Sequence, residues 1–353
     1  MEFFLRMLTI KDVAREAGVS YSTVSVVLGN RTTKLPIAEK TRAKVLECAA
    51  RIGYRRNALA SQMLTGKTNI IAMLSEMVRY EFTFRAIAAA STEAELNGYY
   101  VKLVNLQEFS GNTTERHRLF DLLLEQRPAG IIIKNYISDQ EYLIQAAKEC
   151  KIPVALLDDA LETADALIVS NDEEGISRAV SYLAGFGHRR IGFFSDHLEK
   201  GKFSQIRFTA FQNAMQKLAL EQNPAWNCSL DYYHNRKIRE FLADLFSGSE
   251  PKPTAFCCAS DLIALRVLTG LQRLGIRVPE DVSLIGYGGI HFTELTDPSL
   301  TTVFQNFEEM GRCGVKYIMD FLNNKTQEHL HQVIPTRILE GESVAPPNRG
   351  DRQ

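Results

Sequence analysis

This 353-residue chain contains no stretch of 18 apolar residues, so no segment is long enough to cross a bilayer as an apolar helix. Its opening, MEFFLRMLTIKD, has an apolar run of only three residues, with charges at Glu2, Arg6, Lys11 and Asp12, and that is too little for a secretory leader. Translation from Met7 would leave residues 1–6 as an extension. Six cysteines are scattered without a C-x-x-C pair, and Cys257 and Cys258 lie in the apolar run TAFCCAS, where they read as buried strand residues. That usage fits a reducing cytoplasm. There is no nucleophile elbow, P-loop or H-E-x-x-H, and the seven histidines show no ligand spacing; His188 in GHRR reads as a turn residue. The sequence thus offers no signature of an enzyme, a metal site or a bound cofactor. The ending GESVAPPNRGDRQ has no leucine heptads for a tetramerising coiled coil.

Net charge is nearly absent at −1, but it is unevenly spread. Residues 1–67 carry 12 Lys and Arg against 5 Asp and Glu, while the rest carries 29 against 37. A basic head on an acidic body suggests that the head meets a polyanion. Residues 8–54 read as three short helices. Thr9 caps the first, with Asp12 three residues on, and Gly18 ends it after Ala17. Ser20 caps the second. The third is expected from about Pro36, burying Thr41, Val45, Ala49 and Ile52. On a helical wheel the second helix turns Val24, Val27 and Leu28 inward and Ser22, Ser25, Val26 and Gly29 outward, with Tyr21 at the margin. A helix, a glycine turn and a capped second helix match a helix-turn-helix, whose small outward residues suit the major groove, about 12 Å wide. A three-helix bundle used for protein contacts is the alternative.

Residues 55–67, RRNALASQMLTGK, have too few apolar residues for a core of their own and read as a linker with helical propensity. From residue 68 the apolar runs NIIAML, YYVKLVN, AGIIIK, PVALLD, RIGFF, TAFCCA and SLIGY alternate with amphipathic stretches. That is the pattern of parallel sheets covered on both faces, and the length suggests two α/β lobes. Ligands in such folds bind beyond the carboxyl ends of the strands.

This order, and the segments LTIKDVAREAGVSYSTVS, YRRNALASQM, VSNDEEGISRAVSYLAGFGHRRIGF, VPEDVSLIGY and DPSLTTV, resemble the LacI/GalR family of bacterial transcription regulators over nearly the whole chain. The resemblance implies an α/β fold: an all-α helix-turn-helix head at 8–54, a hinge helix at 55–67 and a two-lobed body at 68–345 like the periplasmic sugar-binding proteins. It places three lobe crossings near Ser170, Ser299 and Ile334, so that lobe 1 comprises about 68–169 and 300–333, and lobe 2 about 170–299 and 334–345. DNA contacts are then expected from Thr9, Ser20, Tyr21, Ser22, Thr23, Ser25, Val26 and Arg31 of the head, and from Asn57, Ala60 and Met63 of the hinge. Lys34 in the long loop RTTKLPIA is a further phosphate contact to consider. Val26 stands where the family's Tyr-x-x-x-Ser-Arg pattern has arginine. A valine there either packs on a thymine methyl or is a passive spacer. Met63 aligns with the hinge side chain that wedges into the minor groove.

For the effector pocket the resemblance implies Arg207, Asp158, Ser260, Asp261 and Gln305, with Gly288 where the family commonly has an aspartate. That loss argues against an ordinary monosaccharide, and a glycine turn there either cradles phosphate or only shapes the chain. Phe82 and Phe84 either stack on a ligand ring or belong to the core. The expected protein is therefore a cytoplasmic, homodimeric repressor of a palindromic double-stranded DNA operator, with a small-molecule effector such as a sugar or sugar derivative. A regulator answering to a protein partner, or a solute-binding protein, are the alternatives.

Overall fold

The computed structural model describes residues 8–29, 37–55, 68–109, 111–159, 161, 164–196, 202–229, 235–325 and 329–348. The chain divides into two compact units, Met1–Thr68 and Asn69–Gln353. No described helix is long and apolar enough to cross a membrane.

In the head, α1 (Ile10–Ala17) starts where the Thr9 backbone N–H and hydroxyl both donate to Asp12, at 2.9 and 2.7 Å. It ends at Gly18, whose left-handed φ of 62° turns the chain into α2 (Tyr21–Gly29). Third comes α3 (Glu39–Arg51). It begins three residues after Pro36, which lies outside the described residues. Its buried stripe is Val45, Cys48 and Ala49, with Thr41 and Ile52 only half-buried. Val13, Ala17, Val24 and Val27 complete this small core. An Arg51–Glu16 ion pair at 2.6 Å joins α3 to α1 on the surface.

The body holds two six-stranded sheets. The first contains β1 (Ile70–Ser75), β2 (Tyr100–Asn105), β3 (Gly130–Lys134), β4 (Val154–Leu157), β5 (Ala166–Ser170) and β11 (Leu330–Ile334). Their order is β11-β5-β4-β3-β1-β2, and all pairs are parallel. Because successive side chains of a strand point to opposite faces, the sheet supports two cores. Ile71, Met73 and Ile132 face α4 (Glu81–Leu96) and α11 (Phe307–Leu322). Ala72, Leu74, Ile131 and Ile133 face α5 (Thr113–Glu125) and α6 (Gln140–Glu149). Where α11 meets α4, a Cβ on Gly311 would fall 2.1 Å from the Ala86 carbonyl oxygen, so only glycine allows the approach.

The second sheet contains β6 (Ile191–Ser195), β7 (Cys228–Ser229), β8 (Ala255–Cys258), β9 (Ser283–Gly288), β10 (Thr301–Phe304) and β12 (Arg337–Leu339). Its order is β12-β10-β9-β8-β6-β7, parallel except that β12 runs against β10. One apolar core joins it to α7 (Asp172–Gly185), α8 (Lys202–Lys217), α9 (Asn235–Ser247) and α10 (Asp261–Arg273). Cys257 and Cys258 sit fully buried in β8.

The chain passes between lobes after β5, after β10 and after β11. The second passage corrects the expectation of a crossing near Ser299. Residues 301–304 still pair with β9 in the second sheet, so lobe 1 resumes only beyond Gln305. The run DPSLTTV concealed a short strand whose Thr301, Thr302 and Val303 are buried. His188 does lie in the turn after α7, its amide bonding the Leu183 carbonyl, but its side chain points inward. It is 1% exposed, and its ring nitrogens meet the Thr254 hydroxyl at 2.9 Å and the Ser283 hydroxyl and Ala345 carbonyl at 3.0 and 2.9 Å. Burial pushes its pKa down to about 4, against the opposing pull of the Ala345 carbonyl. It is a neutral post inside lobe 2.

Candidate effector cavity and nucleic-acid interface

The head gathers hydroxyls at the start of α2. The Thr23 amide donates to Ser20 Oγ at 3.1 Å, capping the helix, and the Ser22 and Thr23 hydroxyls each lie 2.8 Å from the Ser20 hydroxyl. Tyr21 and Ser22 beside them are exposed, Tyr21 by 49%. Ser25 and Val26 are half-buried, and Val26 takes no part in the buried cluster of the head. A helix N-terminus with hydroxyl groups is suited to phosphate, since its first amides lack partners within the helix. Arg31, Lys34, Asn57, Ala60 and Met63 lie outside the described residues.

Between the lobes lies a cavity of about 450 Å³. Its walls come from the carboxyl ends of strands: Asn135 and Tyr136 after β3, Asp158 and Asp159 after β4, Asp196 after β6, Ser260 and Asp261 after β8, Gly288 at the end of β9 and Gln305 after β10. Aromatic surface is added by Phe82, Phe203, Tyr287 and Phe307. Asn135 and Asp158 both adopt left-handed backbone, with φ of 62° and 50°. Such conformations are costly outside glycine and cluster at functional sites. The Asn135 Oδ1 is buried without a hydrogen-bond partner and lines the cavity, so a donor on a ligand is what it lacks.

Arg207 is held in place by its neighbours. Its Nε and Nη2 donate to the two Asp172 oxygens at 2.9 and 3.2 Å, and Nη1 donates to the Ala259 carbonyl at 2.8 Å. The Tyr287 ring lies beneath it, 4.2 Å from centroid to Cζ, and the Tyr287 hydroxyl donates to Asp172 at 2.6 Å. Burial disfavours the guanidinium charge, but Asp172 outweighs it and raises the Arg207 pKa. Burial also raises Tyr287 well above its usual value, so the phenol stays a donor.

Asp261 is committed to its own lobe. Thr302 Oγ1 donates to one oxygen at 2.5 Å and the Ile290 amide to the other at 3.0 Å. Burial pushes its pKa up to about 6, while these bonds and the Gly289 and Tyr287 backbone work in the opposite direction. Gly288 and Gly289 do wrap an anion, and that anion is the chain's own Asp261 rather than a phosphate. Gly288 has φ 134°, and a Cβ there would sit 3.1 Å from Asp261 Oδ2. An aspartate at Gly288 would be both strained and set against a second carboxylate.

Of the expected pocket residues, Phe82, Asp158, Arg207, Ser260, Asp261, Gly288 and Gln305 share the cavity. Phe84 does not; it is 65% exposed, one residue past Thr83 on the outer side of α4. Ser260 spends its hydroxyl capping α10, accepting from Ile263 N–H at 3.4 Å. Gln305 bridges the lobes at the crossing, donating to Ser170 Oγ at 2.8 Å. The sequence reading missed Asn135, Tyr136, Asp159, Asp196, Phe203 and Phe307. For Asn135, Tyr136, Asp159 and Asp196 the available signal was a place just beyond an apolar run, as in AGIIIK-NY and PVALL-DD; Phe203 and Phe307 had no such signal. Two further polar ties join the lobes: Arg85 donates to the Gly289 carbonyl at 2.7 Å, and Glu81 accepts from the His291 amide at 2.9 Å. Among the described residues no group of three or more His, Cys, Asp and Glu is placed to hold a metal ion.

Residues 9–57 match the family model of the bacterial regulatory proteins, lacI family, and residues 180–344 that of the periplasmic binding protein-like domain. The chain is 32% identical over 342 residues to the HTH-type transcriptional repressor PurR of Vibrio cholerae serotype O1, covering 96% of this chain and 98% of that one. PurR of Photobacterium profundum is 30% identical over 323 residues, 91% of this chain and 94% of its own. In fold, the chain is similar to the lac repressor dimer bound to operator and the anti-inducer ONPF, with TM-score 0.81 and 23% identity over 96% of this chain and 100% of that one. It is also similar to the cellobiose complex of the transcriptional regulator CelR, with TM-score 0.69 and 24% identity over 95% and 99%. With a matching head, a matching body and full-length relatives at this identity, the chain belongs to the lacI family of bacterial regulatory proteins.

Proposed function

We propose that this chain is a transcriptional repressor that binds a palindromic operator as a homodimer and answers to a neutral, hydroxyl-rich small molecule, such as a sugar, held between its lobes. It is a binding protein rather than an enzyme, and it works in the cytoplasm. The observation that carries the effector reading is the cavity at the strand ends, walled by both lobes. Aromatic faces suit the apolar face of a ring, and Asp158, Asp159 and Asp196 bring to the wall the hydroxyl acceptors that Gly288 does not, which reopens the monosaccharide class that the sequence argued against. With Asp158 paired to Lys134 behind the wall and Arg207 to Asp172, the lining residues still carry Asp159, Asp196 and Asp261 and no further cation. A phosphorylated effector would meet net repulsion there. The names of the relatives point both ways on class, since a PurR repressor and a cellobiose-bound regulator stand among them. The charge of the walls therefore weighs more.

Mechanistically, a ligand contacting both lobes biases the angle between them, and coupling of about 1–3 kcal/mol changes operator affinity roughly 5- to 150-fold. The test is to select DNA sites from a random pool with the full chain, then titrate the best palindrome with and without neutral monosaccharides. Expected are tight binding of two half-sites about one helical turn apart and release by at least one sugar. Selection of no common sequence would defeat the operator reading. Equal or stronger response to the phosphorylated sugars would defeat the effector class.

A further inference from the structure

Strand β3 reads Gly-Ile-Ile-Ile and then ends in Lys134, whose side chain is 0% exposed. A fully buried lysine is rare and costly unless its charge is met, and a fourth aliphatic residue would pack there without that cost. Its ammonium donates to Asp158 Oδ2 at 2.6 Å and lies over the rings of Phe82 and Phe307, 5.6 and 5.5 Å from their centroids. Asp158, Phe82 and Phe307 all line the cavity, while Lys134 stands directly behind them. Among the described residues Asp158 is its one hydrogen-bond acceptor. From the described residues the other Asp158 oxygen receives a long bond from the Ser170 amide, at 3.4 Å, and no other.

We propose that Lys134 is a positioning residue that decides specificity: it pins Asp158 as an acceptor-only carboxylate in the cavity wall, so the effector must present a hydroxyl or amine donor there. A carbonyl, carboxylate or phosphate oxygen at that point faces a lone pair and is rejected. This rests on the cavity being the effector site. Both side chains of the pair are buried, Lys134 fully and Asp158 to within 7%. An ionised carboxylate accepts only; a protonated one can donate. Without a cation, a carboxylate in an apolar setting takes up a proton more readily, and the site would lose its selectivity. The other charged or titratable groups facing Asp158 are Asp159, next in the chain, and Arg207 and Tyr287 from lobe 2. Arg207 is already spent on Asp172, so Lys134 alone among these is free to balance Asp158.

The first arm of the test needs no effector. Infrared difference spectra of the full chain across neutral pH read the carbonyl stretch of any protonated carboxyl. Asp261, titrating near pH 6, gives the parent a band of its own; Lys134→Met should add a second band that disappears in Lys134→Met with Asp158→Asn, and Lys134→Arg should add none. The double variant also guards against misfolding, because replacing both members of a buried ion pair is far milder than removing one. No new band in folded Lys134→Met overturns the proposal. The second arm uses D-ribose, D-galactose and D-glucose beside ribose 5-phosphate and galactonate, read by thermal shift. A neutral sugar that stabilises the parent should bind Lys134→Met about tenfold or more weakly, the worth of one bond to a charged group. Its binding to that variant should strengthen with rising pH beyond any change seen in the parent, and Lys134→Arg should follow the parent. Better stabilisation of the parent by an anionic compound overturns the proposal. Filling the cavity with Phe82→Trp separates the two readings. If a sugar response survives that change while the infrared result holds, the effector binds elsewhere but Lys134 still governs Asp158.

Discussion

At the scale of single residues, two positions in lobe 2 make sharp demands. Gly288 is required by its backbone, so Gly288→Ala should destabilise the body by about 1–3 kcal/mol, the usual cost of such a conformation for a residue with a Cβ. Gly288→Asp should cost more, since it adds a carboxylate beside Asp261. Urea unfolding measures both, and an alanine variant as stable as the parent would refute the argument. His188 makes its demand through pH. Its folded pKa of about 4 lies below the unfolded 6.5, so neutral His188 contributes fully above pH 6.5 and the contribution is lost as pH falls toward 4. Asp261 runs the other way: with a folded pKa near 6 against 3.8, its ionisation costs stability above that window and the cost fades as pH falls. The two offset one another between pH 4 and 6, which makes the parent's own profile a poor witness. The difference between parent and His188→Gln is the clean measure. It should shrink by about 2 kcal/mol from pH 7 to pH 5. A constant difference would mean that His188 is not kept neutral.

At the scale of elements, capping decides whether the short α2 holds its shape. Ser20→Ala should cost the head about 1 kcal/mol and weaken operator binding, while leaving the unfolding of the body unchanged. Head helicity followed by circular dichroism on melting checks this, and a loss shared equally by the body would argue against a local cap. How far each element was legible follows from its surroundings. The strands β1, β3, β4, β6, β8 and β9 are buried on both faces and announce themselves as apolar runs. The strand β11 alternates half-buried and exposed residues up to the buried Ile334, with His331 and Gln332 inside it, and β12 has only three residues. Neither offers a run to read. Strand β10 hid behind two threonines, and with it the second crossing. In the site, Arg207 and Asp158 were visible by resemblance. Asp196 and Asn135 were not, because a lone polar residue after a strand looks like any turn until the other lobe is set against it. The hydrogen-bonding state of Ser260 and Asp261, capped and cradled within lobe 2, has no sequence signature at all.

At the scale of the whole molecule, the uneven charge should govern DNA binding. If each of two heads neutralises about three phosphates, log affinity against log salt should fall with a slope of about −5. Fluorescence anisotropy on the selected operator measures it, and a slope near zero would remove the electrostatic role of the head. The three passages between lobes have a different consequence, one for synthesis. Lobe 1 is not a contiguous stretch: its sheet is closed by β11, and one of its two faces is covered by α11, both after residue 305. A chain emerging from the ribosome therefore carries β5 with an open edge, and Ile132, Leu157 and Ala86 without their cover, until all of lobe 2 but β12 has been made. During that interval the uncovered apolar face is open to non-native contacts. Nonsense truncations after lobe 2's strands should for this reason be aggregation-prone rather than partly active, because the last forty-odd residues complete the first lobe as well as the second.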